Sequence, residues 1–190
     1  MITTKEGDVV GMVASDQERT RPHGRENAQP LDIDEIAKAA FTVIGKSIQV
    51  TTKNGENLRN IPKFWDQLNG DGTSDRIHAL GTGDDILGIC LDMKHGEETF
   101  SYFIAAEGSE DVAASNGLEA RTIPAATWAV FTSIGPMPQT IQKVWQRIFQ
   151  EWFPASNYEH SGGPELEVYT MGDAHTEDYR SEVWIPVTKK

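Results

Sequence analysis

The chain has 190 residues, enough for one domain of ordinary size or for two small modules that share a core. It carries 29 acidic against 17 basic residues and a formal net charge of -12 at pH 7, a balance that repels phosphate backbones and argues against direct nucleic-acid binding. It contains neither an apolar run long enough to span a membrane nor a basic start followed by an apolar core, so we expect a cytoplasmic protein without a signal peptide.

The first part of the chain is predicted to contain an arm, a strand and a helix. Residues 1–32 are polar and without period, which predicts a flexible arm in which 9–13 could pair briefly as a strand; residues 33–190 form the folded domain. Residues 31–40 fit either a short helix or the lead into the first strand. The elements that follow are a strand at 41–51, a turn at Asn54-Gly55, a helix at 60–69 and a polar, glycine-rich loop at 71–85.

The second part contains one strongly periodic helix among strands. A hairpin is predicted from 86–93 and 99–105 across His95-Gly96, and 107–117 links the two halves of the chain. A helix over 138–153 is indicated by a broad apolar face made of Ile141, Val144, Trp145, Ile148, Phe149 and Trp152. Strands are predicted at 127–134, 166–170 and 182–187.

The two halves resemble each other. Ile61, Lys63, Trp65 and Leu68 have the spacing of Ile141, Lys143, Trp145 and Ile148, and LGIC at 87–90 resembles LEVY at 166–169. These matches indicate an internal repeat, with copies at about 40–106 and about 118–188, that buries two apolar faces against each other. The predicted fold is α+β: two strand-helix-strand-strand modules with two main helices on antiparallel sheet. The alternative is chance similarity between two amphipathic segments.

The common catalytic and cofactor motifs are absent from the sequence. It has no GxSxG, no P-loop, no GxGxxG after a strand and no HExxH, so we predict neither a cofactor nor a metal site. The histidines are scattered through predicted loops without the spacing of metal ligands. Cys90 lies within an apolar strand, which favours an inert core thiol over a nucleophile.

Carboxylates and aromatic rings at strand positions are the candidate functional groups. Glu167 and Tyr169 project from one face of their strand, and Glu182 and Trp184 share a face of theirs. Further flat surfaces come from Phe64, Trp65, Tyr102, Phe103, Trp128 and Trp145. A carboxylate held among rings would bind a hydrophobic cation. The alternative is that both glutamates lie on a solvated sheet face and the rings form the core.

An ordered set of short motifs resembles the GyrI-like small-molecule-binding family, also called AraC-type effector-binding domains. The second half carries PAATWAVF (124–131), GP (135–136), WQRIFQEWFP (145–154), PELEVY (164–169) and SEVWIPV (181–187). The first half carries FTVIG (41–45) and IPKFW (61–65). The resemblance covers about 33–188. It implies a duplicated fold with pseudo-twofold symmetry and a central ligand cleft between the modules.

The resemblance also implies site residues and functions. In the family's multidrug-responsive regulators a buried glutamate on the strand after the second helix faces a cationic ligand, and Glu167 occupies that motif position here. Trp128, Tyr169, Tyr102 and Trp184 match aromatic positions of the family's cleft. Some members resemble hydrolases that open cyclopropane rings of DNA-alkylating compounds, and others bind and inhibit DNA gyrase. Residues 1–32 are too few for a helix-turn-helix with a core, which argues against a direct transcription-factor role.

These observations lead to one hypothesis and two alternatives. The hypothesis is a stand-alone binding protein for aromatic or amphipathic, cationic small molecules. Its predicted ligand-binding residues are Glu167, Tyr169, Trp128, Trp184, Tyr102, Phe64, Trp65 and Glu182. The first alternative is a hydrolase in which Glu167 activates water and Tyr169 or Tyr102 stabilises the oxyanion. The second is a modulator that contacts a protein partner, either gyrase or a transcription regulator.

Overall fold

The structure is a computed structural model that describes residues 2–3, 9–10, 30–93 and 97–190, so most of the predicted arm and the turn at His95-Gly96 lie outside the described residues. Its strands are β1 (Ile2–Thr3), β2 (Val9–Val10), β3 (Ile33–Lys38), β4 (Phe41–Thr51), β5 (Ile86–Leu91), β6 (Thr99–Glu107), β7 (Glu119–Ile123), β8 (Ala126–Ile134), β9 (Tyr158–His160), β10 (Glu165–Tyr169) and β11 (Arg180–Lys189). Its helices are α1 (Glu56–Gly70), α2 (Thr73–Leu80), α3 (Glu110–Asn116), α4 (Gln139–Arg147) and α5 (Phe153–Ala155), with a 3₁₀ turn at Lys53–Gly55 and a π-helical segment at Ile148–Trp152.

The strand order of the main sheet reads as two equivalent halves. The nine-stranded sheet has the order β3-β8-β11-β10-β5-β6-β4-β7, and β9 pairs with the end of β11. In one half β4 lies between β6 and β7; in the other β8 lies between β11 and β3. The halves meet where β10 pairs antiparallel with β5. The predicted α+β fold of two strand-helix-strand-strand modules on antiparallel sheet is thereby confirmed.

The two modules exchange their leading strands. β3 precedes the first module in the chain but pairs with β8 of the second, from Ile33↔Phe131 to Lys38↔Ala126. β7 precedes the second module but pairs with β4 of the first. This exchange decides the open prediction for 31–40: the segment is not a helix, and its residues 33–38 form a strand because the edge of β8 supplies partners for their backbone groups.

Both faces of the sheet are covered by apolar side chains. On one face α1 packs Ile61, Phe64 and Leu68 into the core of the first module, while α4 packs its apolar face onto the second module. The opposite face carries a third cluster that includes Phe103 and Trp128, both fully buried. No helix in the described parts of the chain is long and apolar enough to cross a membrane.

Three predicted segments differ from the structure. The predicted loop at 71–85 contains α2, which is anchored by a single fully buried apolar side chain, Ile77, and therefore shows no apolar period. The predicted link at 107–117 contains α3, capped by the Ser109 hydroxyl, which accepts from the Val112 N–H at 3.4 Å. The predicted helix at 138–153 begins one residue later, at Gln139, and after α4 it widens into the π segment. Phe149 of that segment packs on Phe153 with ring centroids 5.2 Å apart.

Candidate ligand-binding cavity

A cavity of about 850 Å³ lies between α1 and α4. Two opposing walls use equivalent positions of the repeat, offset by 80 residues: Asn57, Leu58, Ile61 and Pro62 on one side, and Met137, Pro138, Ile141 and Gln142 on the other. The remaining sides come from Trp65, Asp66, Asn69, Ser74, Asp75, His78, Ile86, Glu167, Tyr169, Thr170, Met171, Gly172, Ala174, His175 and Tyr179. The cavity therefore lies between the two modules.

Glu167 lies in the cavity wall, only 2% exposed, and its hydrogen-bond donors are neutral side chains. The Trp145 indole Nε1–H donates to Oε1 at 2.7 Å, and the Tyr169 hydroxyl donates to Oε2 at 2.6 Å. The Tyr102 hydroxyl donates to the same Oε2 at 3.5 Å and accepts from Trp65 Nε1–H at 2.9 Å. Both repeat-equivalent tryptophans thus reach the carboxyl, Trp145 directly and Trp65 through Tyr102.

The ionisable groups hydrogen-bonded at this wall of the cavity are one buried carboxyl and two phenols. Burial raises the pKa of the Glu167 carboxyl, while hydrogen bonds from Tyr169, Trp145 and Tyr102 act in the opposite direction. Burial and the adjacent Glu167 charge raise the pKa of both Tyr102 and Tyr169 well above the usual range, so both phenols remain protonated donors. Among the described lining residues there is no lysine or arginine.

Some of the predicted site residues meet at this cavity. Glu167, Tyr169 and Trp65 line it, and the rings of Trp65 and Tyr169 contact edge to face with centroids 5.3 Å apart. Tyr102 is fully buried and lies behind Glu167, to which it is hydrogen-bonded. Phe64 is buried in the core of the first module and is not among the lining residues.

The structure separates Trp128, Trp184 and Glu182 from the cavity, contrary to the expectation that they share a cleft with Glu167. The β10–β11 register pairs Glu167 with Val183, so Glu182 and Trp184 project from the opposite face of the sheet. There the Trp184 indole donates to Glu182 at 2.8 Å, and its ring lies 6.0 Å from that of Trp128. Glu182 is also paired with Arg180 at 2.8 Å.

Several lining residues were not predicted from the sequence. Met137 and Met171 contribute flexible thioethers, and Met171 is 68% exposed on the loop after β10. His78 lies on α2, although the sequence predicted all histidines to lie in loops. That prediction is also wrong for His160, which lies in β9, outside the cavity lining, and contacts buried Glu165 at 3.1 Å. Once Asn57 is known to line the cavity, the 80-residue offset of the repeat indicates Met137 as its counterpart. No pattern in the sequence indicated the loop residues.

Cys90 matches its predicted role as a buried thiol. It lies in β5 and is 5% exposed. Burial is the main reason that its pKa rises to about 12, with the nearby Glu167 charge acting in the same direction. The thiol therefore stays protonated near neutral pH and is a poor nucleophile.

Comparisons with known proteins give one family match and several solved structures with a similar fold. Residues 36–187 match the family described as Cass2, an integron-associated effector binding protein. The solved structure of SAV2435 bound to tetraphenylphosphonium is 22% identical, with a TM-score of 0.72 over 84% of this chain and 94% of that chain. An integron cassette protein from the mobile metagenome of Vibrio cholerae is 17% identical, with a TM-score of 0.61 over 84% of this chain and 97% of that one.

A third similar structure is a putative bacterial transcription regulation protein from Staphylococcus aureus MU50. It is 22% identical, with a TM-score of 0.66 over 85% of this chain and 99% of that chain. Among curated proteins, none matches the sequence. At these identities the structural similarities establish the shared fold.

Proposed function

Because this chain belongs to the Cass2 family of integron-associated effector binding proteins, we propose that its cavity binds organic cations with an aromatic or amphipathic frame. The observation that carries the proposal is the buried Glu167 carboxyl in the cavity wall, whose donors Trp145, Tyr169 and Tyr102 are all uncharged. A buried carboxylate without a cation costs several kcal/mol, roughly, even when hydrogen bonds offset part of that cost. A bound cation supplies an opposite charge, which none of these three donors carries.

The rest of the lining suits the apolar part of such a ligand. Trp65 and Tyr169 present rings whose faces and edges can contact a cation or another ring. Met137 and Met171 have flexible, polarisable side chains that adapt to ligands of different shape. A volume of about 850 Å³ is in the range of cavities that hold drug-sized molecules. The similar fold of SAV2435, solved with the lipophilic cation tetraphenylphosphonium, supports this class of ligand.

The proposal is tested with two ligands of the same shape and opposite charge. Tetraphenylphosphonium and tetraphenylborate each carry four phenyl rings, so a calorimetric titration of both separates the effect of charge from that of apolar contact. We expect the cation to bind at least about 100-fold more tightly, because the lining formed by the described residues adds carboxylates and no lysine or arginine.

Glu167→Gln tests the residue that carries the proposal. Removing one partner of a buried charge pair costs about 2 to 5 kcal/mol, so cation affinity should fall about 30-fold or more. Glu182→Gln is the matched control, because it removes the same charge from the opposite face of the sheet and should leave affinity unchanged. Equal affinity for both ligands, or an unchanged affinity of the E167Q variant, would overturn the proposal.

A hydrolase remains the second candidate, and one feature of the site favours it. A carboxyl whose pKa burial has raised is suited to general-base work. The Tyr169 hydroxyl donates its one proton to Glu167 Oε2 at 2.6 Å, so it would have to turn from the carboxyl to donate to a developing oxyanion. Incubation with a cyclopropane-bearing alkylator, followed by mass spectrometry, distinguishes the two functions. Multiple turnovers lost in the E167Q variant would indicate an enzyme, and protection that stops at one equivalent would indicate a binding protein.

A further inference from the structure

Gly88 lies where the two modules meet. In β5 it pairs with Glu167 of β10 on one side and with Ile104 of β6 on the other. A Cβ atom at position 88 would lie 2.3 Å from the Tyr102 hydroxyl oxygen, 3.1 Å from its Cζ and 3.4 Å from Glu167 Oε2. Since the first of these distances is far below van der Waals contact, any side chain at this position must displace the Tyr102 ring.

The Tyr102 ring has little freedom to move. It is fully buried in the core of the first module, and its hydroxyl accepts a hydrogen bond from Trp65 Nε1–H at 2.9 Å. Its 3.5 Å contact with Glu167 is already long, so a shift of the ring by a fraction of an ångström breaks it. Displacement would disconnect α1 from the carboxyl, whereas α4 would keep its direct 2.7 Å bond through Trp145.

Gly88 also occupies a position that is equivalent to Glu167 in the internal repeat. LGIC at 87–90 corresponds to LEVY at 166–169, so Gly88 is the counterpart of Glu167, and the two face each other across the β5–β10 pair. Two glutamates at these positions would place like charges on directly opposed residues of one sheet face, which is unfavourable. The two nearly equivalent halves therefore differ at this position. The second module carries the Glu167 carboxyl, whereas in the first module the Tyr102 hydroxyl occupies the space that a side chain at position 88 would need.

We infer that Gly88 is a positioning residue of the cavity. Because it has no side chain, the Tyr102 hydroxyl can reach Glu167 and hold its carboxyl in place to bind a cation. The inference deepens the proposed function and rests on it where ligand affinity is concerned. The part that concerns Tyr102 and Glu167 can be tested without any ligand.

The test uses the full chain as wild type, Gly88→Ala, Tyr102→Phe and the double variant. Two quantities are measured: affinity for tetraphenylphosphonium, and the pH titration of the Trp145 indole N–H resonance, assigned by its loss in a Trp145→Phe spectrum. That resonance reports the ionisation of Glu167, because the indole donates directly to the carboxyl. Gly83→Ala is the control glycine, since a Cβ there meets no atom of the described residues within 4 Å.

We expect G88A to weaken cation binding at pH values below its titration midpoint, about tenfold for a midpoint raised by one pH unit, because the proton then competes with the cation for Glu167. The titration midpoint should rise, because the hydrogen bond from Tyr102 lowers the pKa of Glu167. In the Y102F background the same substitution should change both quantities much less, because the 2.3 Å clash with the oxygen is gone and only the 3.1 Å contact with the ring and the 3.4 Å contact with Glu167 remain. If G88A fails to fold and the double variant folds, the Tyr102 hydroxyl is again shown to need this space.

Two results would overturn the inference. One is a G88A protein with wild-type affinity and titration midpoint; the other is a glycine substitution that is equally harmful, or equally unfolded, with and without the Tyr102 hydroxyl. Failure of the wild type to bind tetraphenylphosphonium would reject the proposed function instead. In that case the Trp145 titration still decides the role of Gly88.

Discussion

The sharpest prediction concerns the pH dependence of cation binding. Tetraphenylphosphonium has no titratable group, so any change of its affinity with pH reports on the protein. Burial raises the pKa of Glu167 above the ordinary 4.5, and a cation beside the carboxyl would favour its charged form. Binding should therefore weaken as the pH falls through the raised pKa of the free protein, at pH values where an exposed glutamate is more ionised than Glu167.

The size of the effect follows from the charge that protonation removes. Two unit charges about 4 Å apart attract by about 4 kcal/mol at an effective dielectric constant of about 20, which corresponds to about a 1000-fold change in affinity. Between the pKa values of the bound and the free protein, the affinity should fall up to about tenfold per pH unit, because one proton is taken up for each cation released.

The assay is a calorimetric titration of wild type and of E167Q from pH 4 to pH 8 in buffers of different ionisation enthalpy, which also counts the protons released. Asp66, Asp75, His78 and His175 line the same cavity and are retained in both proteins, so the difference between the two profiles isolates Glu167. A parallel pH dependence in the two proteins, or no proton release by the wild type, would refute the role assigned to this carboxyl.

Three further predictions concern stability, selectivity and thiol reactivity. Because the folded-state pKa of Glu167 is raised, the stability contributed by its protonated form is fully present below pH 4.5 and is lost as the pH rises through the raised value. Urea unfolding should therefore show wild type losing stability relative to E167Q over that interval. A constant difference between the two proteins would contradict this. Trp65→Phe should weaken cation binding severalfold while Trp184→Phe, on the other sheet face, leaves it unchanged in the same titration. Cys90 should resist a thiol-specific disulfide reagent at pH 8 until the protein is unfolded, and rapid labelling of the native protein would disprove its burial.

Local patterns in the sequence were sufficient to predict the two modules and to single out Glu167. The apolar spacing shared by Trp65 and Trp145 indicated both main helices and the repeat, and alternation along one strand placed Glu167 and Tyr169 on a common face. The predicted family resemblance is confirmed by the match over residues 36–187. Periodicity carries this information because the side chains of a single element follow its own geometry.

Relations between elements were decided only by the tertiary structure. Alternation within a strand leaves the faces of two strands unrelated until their register is known, and the pairing of Glu167 with Val183 sent Glu182 and Trp184 to the far side of the sheet. In the same way, the exchange of β3 and β7 between modules and the place of Gly88 opposite Glu167 depend on which strands become neighbours. The sequence by itself determined which side chains share a face of one element, whereas long-range pairing determined which of those faces meet, because contacts between distant segments are set by the packing of the whole chain.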